Sequence, residues 1–218
     1  MLKHVIHPNS STSKPSKLVF LLHGYGSNKN DLINLAPDLQ AHLADALFIS
    51  PNAPENFEGN DYCTDAYQWF SLTDRSEEKM LEGASKSSII LENFITKQAK
   101  KFSIPLDNIA LIGFSQGAMM AMHLGLRLSS TVRGIIAYSG LLIAPSKLKN
   151  VIKSKPRVML IHGTEDTIVP IEEMEKAYNA LDANGVMTHI YKCNGLAHGI
   201  DSQGVKIGGN FLCEVFAN

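Results

Sequence analysis

Apolar positions fall along this chain in two alternating textures. Short, nearly unbroken runs occur at 17–22 (KLVFLL), 46–50 (ALFIS), 108–114 (NIALIGF), 132–139 (VRGIIAYS), 157–163 (RVMLIHG) and 188–193 (THIYKC), and they have the length and β-branched content of strands. Longer segments at 77–101, 116–129, 172–183 and 202–217 carry apolar residues at helical intervals. Most of the strand-like runs are apolar on both faces, as parallel strands are when helices cover each side. The alternation predicts one open α/β sheet. No composition shift or linker marks a second domain, so residues 1–218 read as one unit. The longest irregular stretch, PNAPENFEGNDYCTDAYQWF at 51–70, exceeds ordinary loop lengths, and such loops are often functional.

One junction in this pattern carries chemistry. Run 108–114 passes through Gly113-Phe114-Ser115-Gln116-Gly117 into a Met-rich helical segment. A strand that turns sharply into a helix can hold a serine in a tight conformation, with a glycine two residues away on each side relieving the crowding. The helix that follows aims its first N–H groups at any oxyanion formed there.

A serine hydroxyl needs a histidine to take its proton, and that histidine needs a carboxylate to orient it. In sheets of this kind the chain order is serine, acid, histidine. Run 157–163 leads into TEDTIVP and places Asp166 beyond a strand's carboxyl end. Taken alone, Asp166 would be a turn or helix-capping residue, and Glu165 is the rival acid one position nearer the strand. Run 188–193 leads into NGLAHGI and places His198 in the corresponding loop. Three strand ends thus supply Ser115, Asp166 and His198 in the required order, at the sheet edge where ligands bind. Of the eight histidines, His4, His7 and His42 precede the serine, His123 falls in the helix after it, His189 lies inside a strand, and His162 ends one as a packed or hydrogen-bonded residue.

The first strong strand ends in LLHGYGSNKNDL at 21–32, a glycine-bearing turn before a helix. In a serine hydrolase this loop gives one oxyanion-hole N–H and the residue after the nucleophile gives the other, which nominates Tyr25 and Gln116 through their amides. His23 is read as bracing that loop.

Charge and cysteine content remove other classes. Lys and Arg (20) nearly balance Asp and Glu (21), so no basic field invites nucleic acid. Cys63, Cys193 and Cys213 are too far apart for a zinc cluster or a disulfide framework and read as free thiols. The start lacks the apolar core of a signal peptide, and no run reaches the roughly 20 apolar residues of a membrane span. A cytoplasmic protein without stable membrane insertion is the expectation.

Taken together, HGYGSNKNDL, SPNAP, QWFSL, GFSQGAMM, HGTEDTIVP and AHGI resemble the phospholipase/carboxylesterase family of small α/β hydrolases, which includes the acyl-protein thioesterases. The resemblance covers nearly the whole chain. It implies a single-domain α/β-hydrolase fold, a mostly parallel sheet with helices on both faces and no large cap domain. It also implies the triad Ser115, Asp166 and His198, oxyanion donors at Tyr25 and Gln116, and an acyl channel near Trp69 and Ile168; Trp69 could equally be a core anchor. Acyl-protein thioesterases commonly have an acidic residue after WF, where this chain has Ser71, and Leu where it has Tyr25. The chain therefore looks closer to bacterial carboxylesterases.

The expected chemistry is hydrolysis of a small acyl ester, thioester or lysophospholipid through an acyl-serine, with no cofactor and no metal. Acyl-protein thioester cleavage is the alternative. A peptidase or amidase would ordinarily carry an added domain, and a non-catalytic binding module would be expected to have lost a triad member.

Overall fold

The computed structural model describes residues 1–11, 14–59 and 65–217. The strands are β1 (His4–His7), β2 (Lys17–Leu22), β3 (Ala46–Pro51), β4 (Glu55–Asn56), β5 (Tyr67–Gln68), β6 (Ile109–Phe114), β7 (Gly134–Tyr138), β8 (Arg157–Gly163) and β9 (Thr188–Cys193). The helices are α1 (Lys29–Leu32), α2 (Ala36–Gln40), α3 (Glu77–Phe102), α4 (Gln116–Gly125), α5 (Leu148–Val151), α6 (Glu172–Ala183) and α7 (Ser202–Ala217). Among the described residues the main sheet has seven strands in the order β1-β3-β2-β6-β7-β8-β9. All neighbours pair in parallel except β1, which runs antiparallel to β3 at one edge.

The two-residue side-chain period of the strands divides the core between the faces of this sheet. Leu18, Phe20, Leu22, Leu111 and Ile135 turn to the face covered by α3, α4 and α6. Val19, Leu21, Ala110, Ile112 and Ile136 turn to the other, under α1, α2 and α7. Burial on both sides explains why these strands read as unbroken apolar runs. At the edge, β9 keeps Ile190 exposed.

All six expected strands and all four expected helices are present. The largest boundary difference is at α4, which ends at Gly125 and not at 129. Its last carbonyls leave the helix for other partners: Ser154 Oγ donates to Gly125 O (2.7 Å) and the Lys153 amide to Leu126 O (2.9 Å). Strand β1 and the short α2 and α5 were not anticipated, because four or five residues carry too little periodicity to register. In the long irregular stretch, β4 and β5 form a small antiparallel pair.

The path of β6 into α4 depends on bare backbone. A Cβ on Gly117 would lie 1.9 Å from the Leu22 carbonyl oxygen, and one on Gly113 would lie 2.2 Å from the Gly117 carbonyl oxygen. The helix therefore starts in direct contact with β2. Gly117→Ala is expected to lower unfolding free energy by about 3 kcal/mol or more, because backbone and not a pliable side chain must move. Gly199→Ala, whose added carbon meets nothing within 4 Å, is the matched near-neutral substitution. Urea unfolding of both variants measures the contrast.

Candidate active site

Ser115 sits between β6 and α4 with φ 54° and ψ −117°, a backbone conformation that L residues rarely adopt. The surrounding main chain enforces it. The Ser115 amide donates to Tyr138 O on β7 (2.9 Å), and the Ser115 carbonyl accepts from the amides of Ala118 (3.0 Å) and Met119 (3.1 Å). The side chain is left facing a cleft. The Gln116 amide opens α4, where helical geometry offers no internal partner.

Asp166 and His198 meet from the loops after β8 and β9. Asp166 Oδ2 lies 2.7 Å from His198 Nδ1, while Asp166 Oδ1 accepts from the amides of Ile168 and Val169, both at 2.9 Å. Burial alone would raise the Asp166 carboxyl, but the bonds from His198 and from these amides outweigh it and hold the group below the usual carboxylate range. His162 is packed as expected: its Nε2 reaches Val169 O (2.8 Å) and lies 3.3 Å from Asp166 Oδ2. Glu165 is exposed. The Phe114 ring lies 4.8 Å from the His198 ring, giving the imidazole a lateral support.

On the other side of the cleft, the turn after β2 presents Gly24 and Tyr25. His23 braces it. The Ala53 amide donates to His23 Nε2 (2.9 Å), so Nδ1 carries the proton that faces Gly24 O (2.8 Å). Burial lowers the His23 pKa, in keeping with a neutral ring.

For Trp69 two readings stood open, a channel residue and a core anchor. It is fully buried, does not line the cleft, and donates its indole N–H to His23 O (2.9 Å). A buried indole needs an acceptor, and the strand-end carbonyl supplies one, which favours the core-anchor reading. The sequence nominates Gln116 for its amide, yet its side chain is fully buried and pins the same segment, accepting from the Trp69 amide (2.9 Å) and donating to Phe70 O (2.7 Å).

The cleft encloses about 370 Å³, and both Ser115 and His198 open onto it. Leu72, Met80, Met119, Leu141 and Ile168 form its apolar wall, and Asp31, Arg75 and Glu173 contribute charge. Among the described residues, no three His, Cys, Asp or Glu side chains converge as metal ligands, and no helix is long and apolar enough to cross a membrane. Cys193 and Cys213 are free thiols, while Cys63 lies outside the described residues.

Residues 4–215 match the family model for phospholipase/carboxylesterase. The chain belongs to this phospholipase/carboxylesterase family. The crystal structure of esterase PE8 superposes with a TM-score of 0.91 at 37% identity, covering 98% of this chain and 99% of that one. Acyl-protein thioesterase 1 homolog 1 of Dictyostelium discoideum is 26% identical over 205 residues, 91% of this chain and 90% of its own. Esterase YpfH of Escherichia coli is 26% identical over 209 residues, 94% and 86% respectively. The architecture is the single-domain α/β-hydrolase fold of this family.

Tyr25 and Ser71, the two residues contrasted with the thioesterases above, meet at one oxygen. Glu58 Oε1 accepts from the Tyr25 hydroxyl (2.6 Å), from Ser71 Oγ (3.0 Å) and from the Leu72 amide (2.8 Å). Partial burial pulls the Glu58 carboxyl upward, and these bonds more than offset it, holding the group down at about 2. Burial and the bond to Glu58 push the Tyr25 phenol up. Nothing in the spacing of Glu58 singled it out.

The depressed Asp166 pKa sets an acid dependence. Its contribution to stability is complete above the unfolded carboxyl value of about 3.9 and is lost as pH falls through the lower folded value. Asp166→Asn lacks that titration. The gap in Tm between wild type and Asp166→Asn should therefore narrow as pH drops below about 4, as thermal unfolding monitored by circular dichroism will measure; a gap constant down to pH 2 contradicts the assignment.

Proposed function

We propose that this protein is a serine hydrolase that cleaves carboxylic esters through an acyl-serine intermediate, with residues 1–218 acting as one hydrolase domain. The observation that carries this reading is the shared cleft. Ser115, held at a strained turn, and His198, tied to buried Asp166, open onto the same apolar-walled cavity. The similarity to esterase PE8 and to the curated esterase and thioesterase relatives supports the reaction class.

His198 Nδ1 is occupied by Asp166, which leaves Nε2 to take the proton of the Ser115 hydroxyl as Oγ attacks the acyl carbon. The carbonyl π electrons move to oxygen, and the amides of Tyr25 and Gln116 hold the oxyanion. Collapse breaks the bond to the leaving group, which takes its proton from His198. Water then repeats the sequence on the acyl-serine and releases the acid. Asp166 steadies the imidazolium in both halves. The apolar wall that includes Ile168 receives the acyl chain, and a thioester follows the same path with a thiol as the leaving group.

Ser115→Ala should reduce turnover of an activated short-chain ester by about 10⁶-fold with the fold intact. Asp166→Asn should cost roughly 10⁴-fold and Glu165→Gln little. Wild-type kcat/KM should rise with pH along one ionisation to a plateau, since the base must be neutral, and should resist chelators. Fluorophosphonate should label Ser115 in the wild type and fail in His198→Ala. More than a few per cent of wild-type activity in Ser115→Ala would end this reading, and a graded panel of acyl esters and thioesters ranks the substrates.

A further inference from the structure

We propose that Glu58 is a positioning residue of the active site, its Oε1 tying the oxyanion turn at Tyr25 and the cleft wall at Leu72 into one rigid unit. The inference rests on the serine-hydrolase reading above. Glu58 does not line the cleft, so it acts through the residues that do.

The Tyr25 turn is held from two directions. On one side its main chain joins β5: the Gly26 amide donates to Tyr67 O (2.9 Å) and the Tyr67 amide to Ser27 O (2.8 Å). On the other side the Tyr25 side chain is fixed to the chain just after β4, its ring edge-on to Phe57 at 4.9 Å and its hydroxyl on Glu58. The Phe57 ring also lies under Gly26, whose φ is 75°, at 3.2 Å from where a Cβ would stand. The amide of Tyr25 therefore lies between two anchors, and Glu58 is the polar half of one.

Glu58 is itself held. Its amide donates to the buried Gln68 Oε1 (2.9 Å), and Gln68 Nε2 donates to Glu55 Oε2 (3.1 Å), so the carboxylate is carried on the β4–β5 pair. All three donors on Oε1 are neutral, and bonds to an ionised acceptor are about twice as strong as those between neutral groups. A single side chain next to the β4–β5 pair thus joins the distant turn at 24–27 to the wall at 71–72. Just before that wall, Gln116 pins the Trp69 amide and the Phe70 carbonyl, so the side chains of both oxyanion residues are anchored beside it, Tyr25 on Glu58 and Gln116 on Trp69 and Phe70.

A misplaced donor weakens an oxyanion more than it weakens ground-state binding. Glu58→Ala and Tyr25→Phe should each lower kcat on p-nitrophenyl acetate by about tenfold, with KM changed by no more than about twofold. Rates are taken per site titrated with fluorophosphonate, so that a loss of folded protein does not register. The double variant should lose no more than Glu58→Ala alone, since the bond cut by Tyr25→Phe is one of those that Glu58→Ala removes. Glu58→Gln, which keeps an acceptor oxygen, should recover part of the loss. The Ki of a boronic acid, whose adduct with Ser115 fills the oxyanion hole, should rise in proportion to the fall in kcat/KM. A titrated kcat for Glu58→Ala within about twofold of wild type, or multiplicative losses in the double variant, overturns the proposal. Ser115→Ala run in parallel separates the causes: if it is inactive while Glu58→Ala is fully active, only the role of Glu58 falls, and if it is active the serine-hydrolase reading falls and takes this role with it.

Discussion

The direct contact of one backbone with another at the start of α4 is the constraint on which the site depends. Gly117 lies against the carbonyls of Leu22 and His23, and Gly113 lies against Gly117 itself. No side chain fits between them, so β6 must reverse into α4 within a single residue, and that residue takes the left-handed φ. A sheet packed less tightly could let the turn relax and would leave the Ser115 side chain free to wander. The cost of the conformation, of order 1–3 kcal/mol for such strain, is met by the Tyr138 carbonyl and the first-turn amides of α4, which leave the main chain no alternative.

The rest of the site follows from strand order. Because β6, β7, β8 and β9 are parallel neighbours, their carboxyl ends lie along one edge, and the loops after β8 and β9 must converge on the elbow. Asp166 is held there by its own loop amides before His198 reaches it. Its second histidine neighbour, His162, is committed to the Val169 carbonyl and helps fix the shape of that loop.

Polar side chains buried or clustered away from the reacting atoms hold the opposite wall. Trp69, Gln116, His23 and Glu58 each bridge segments far apart in sequence, and together they place the turn at 24–27 and the wall at 69–72 on a common support. Tyr25 and Ser71 make sense as a pair in this light: each supplies a hydroxyl to the same carboxylate oxygen.

The alternating apolar runs determined the parallel strands and the places of the main helices, though not edge strand β1 or the end of α4, because burial on both faces imposes composition and period directly on the chain. The glycines around Ser115 and the loop positions of Asp166 and His198 were legible for a related reason: each sits next to its own strand end, so local spacing fixes its place. The Trp69 assignment could not be settled that way, since whether an indole faces a cleft or a carbonyl depends on what the fold brings beside it. The side-chain role of Gln116 and the position of Glu58 were decided only in three dimensions. Their partners lie 46 or more residues away for Gln116 and 33 residues away for the bond that Tyr25 donates to Glu58, and contacts at such separation leave no periodic trace, because either partner is an ordinary polar residue until the chain has closed around it.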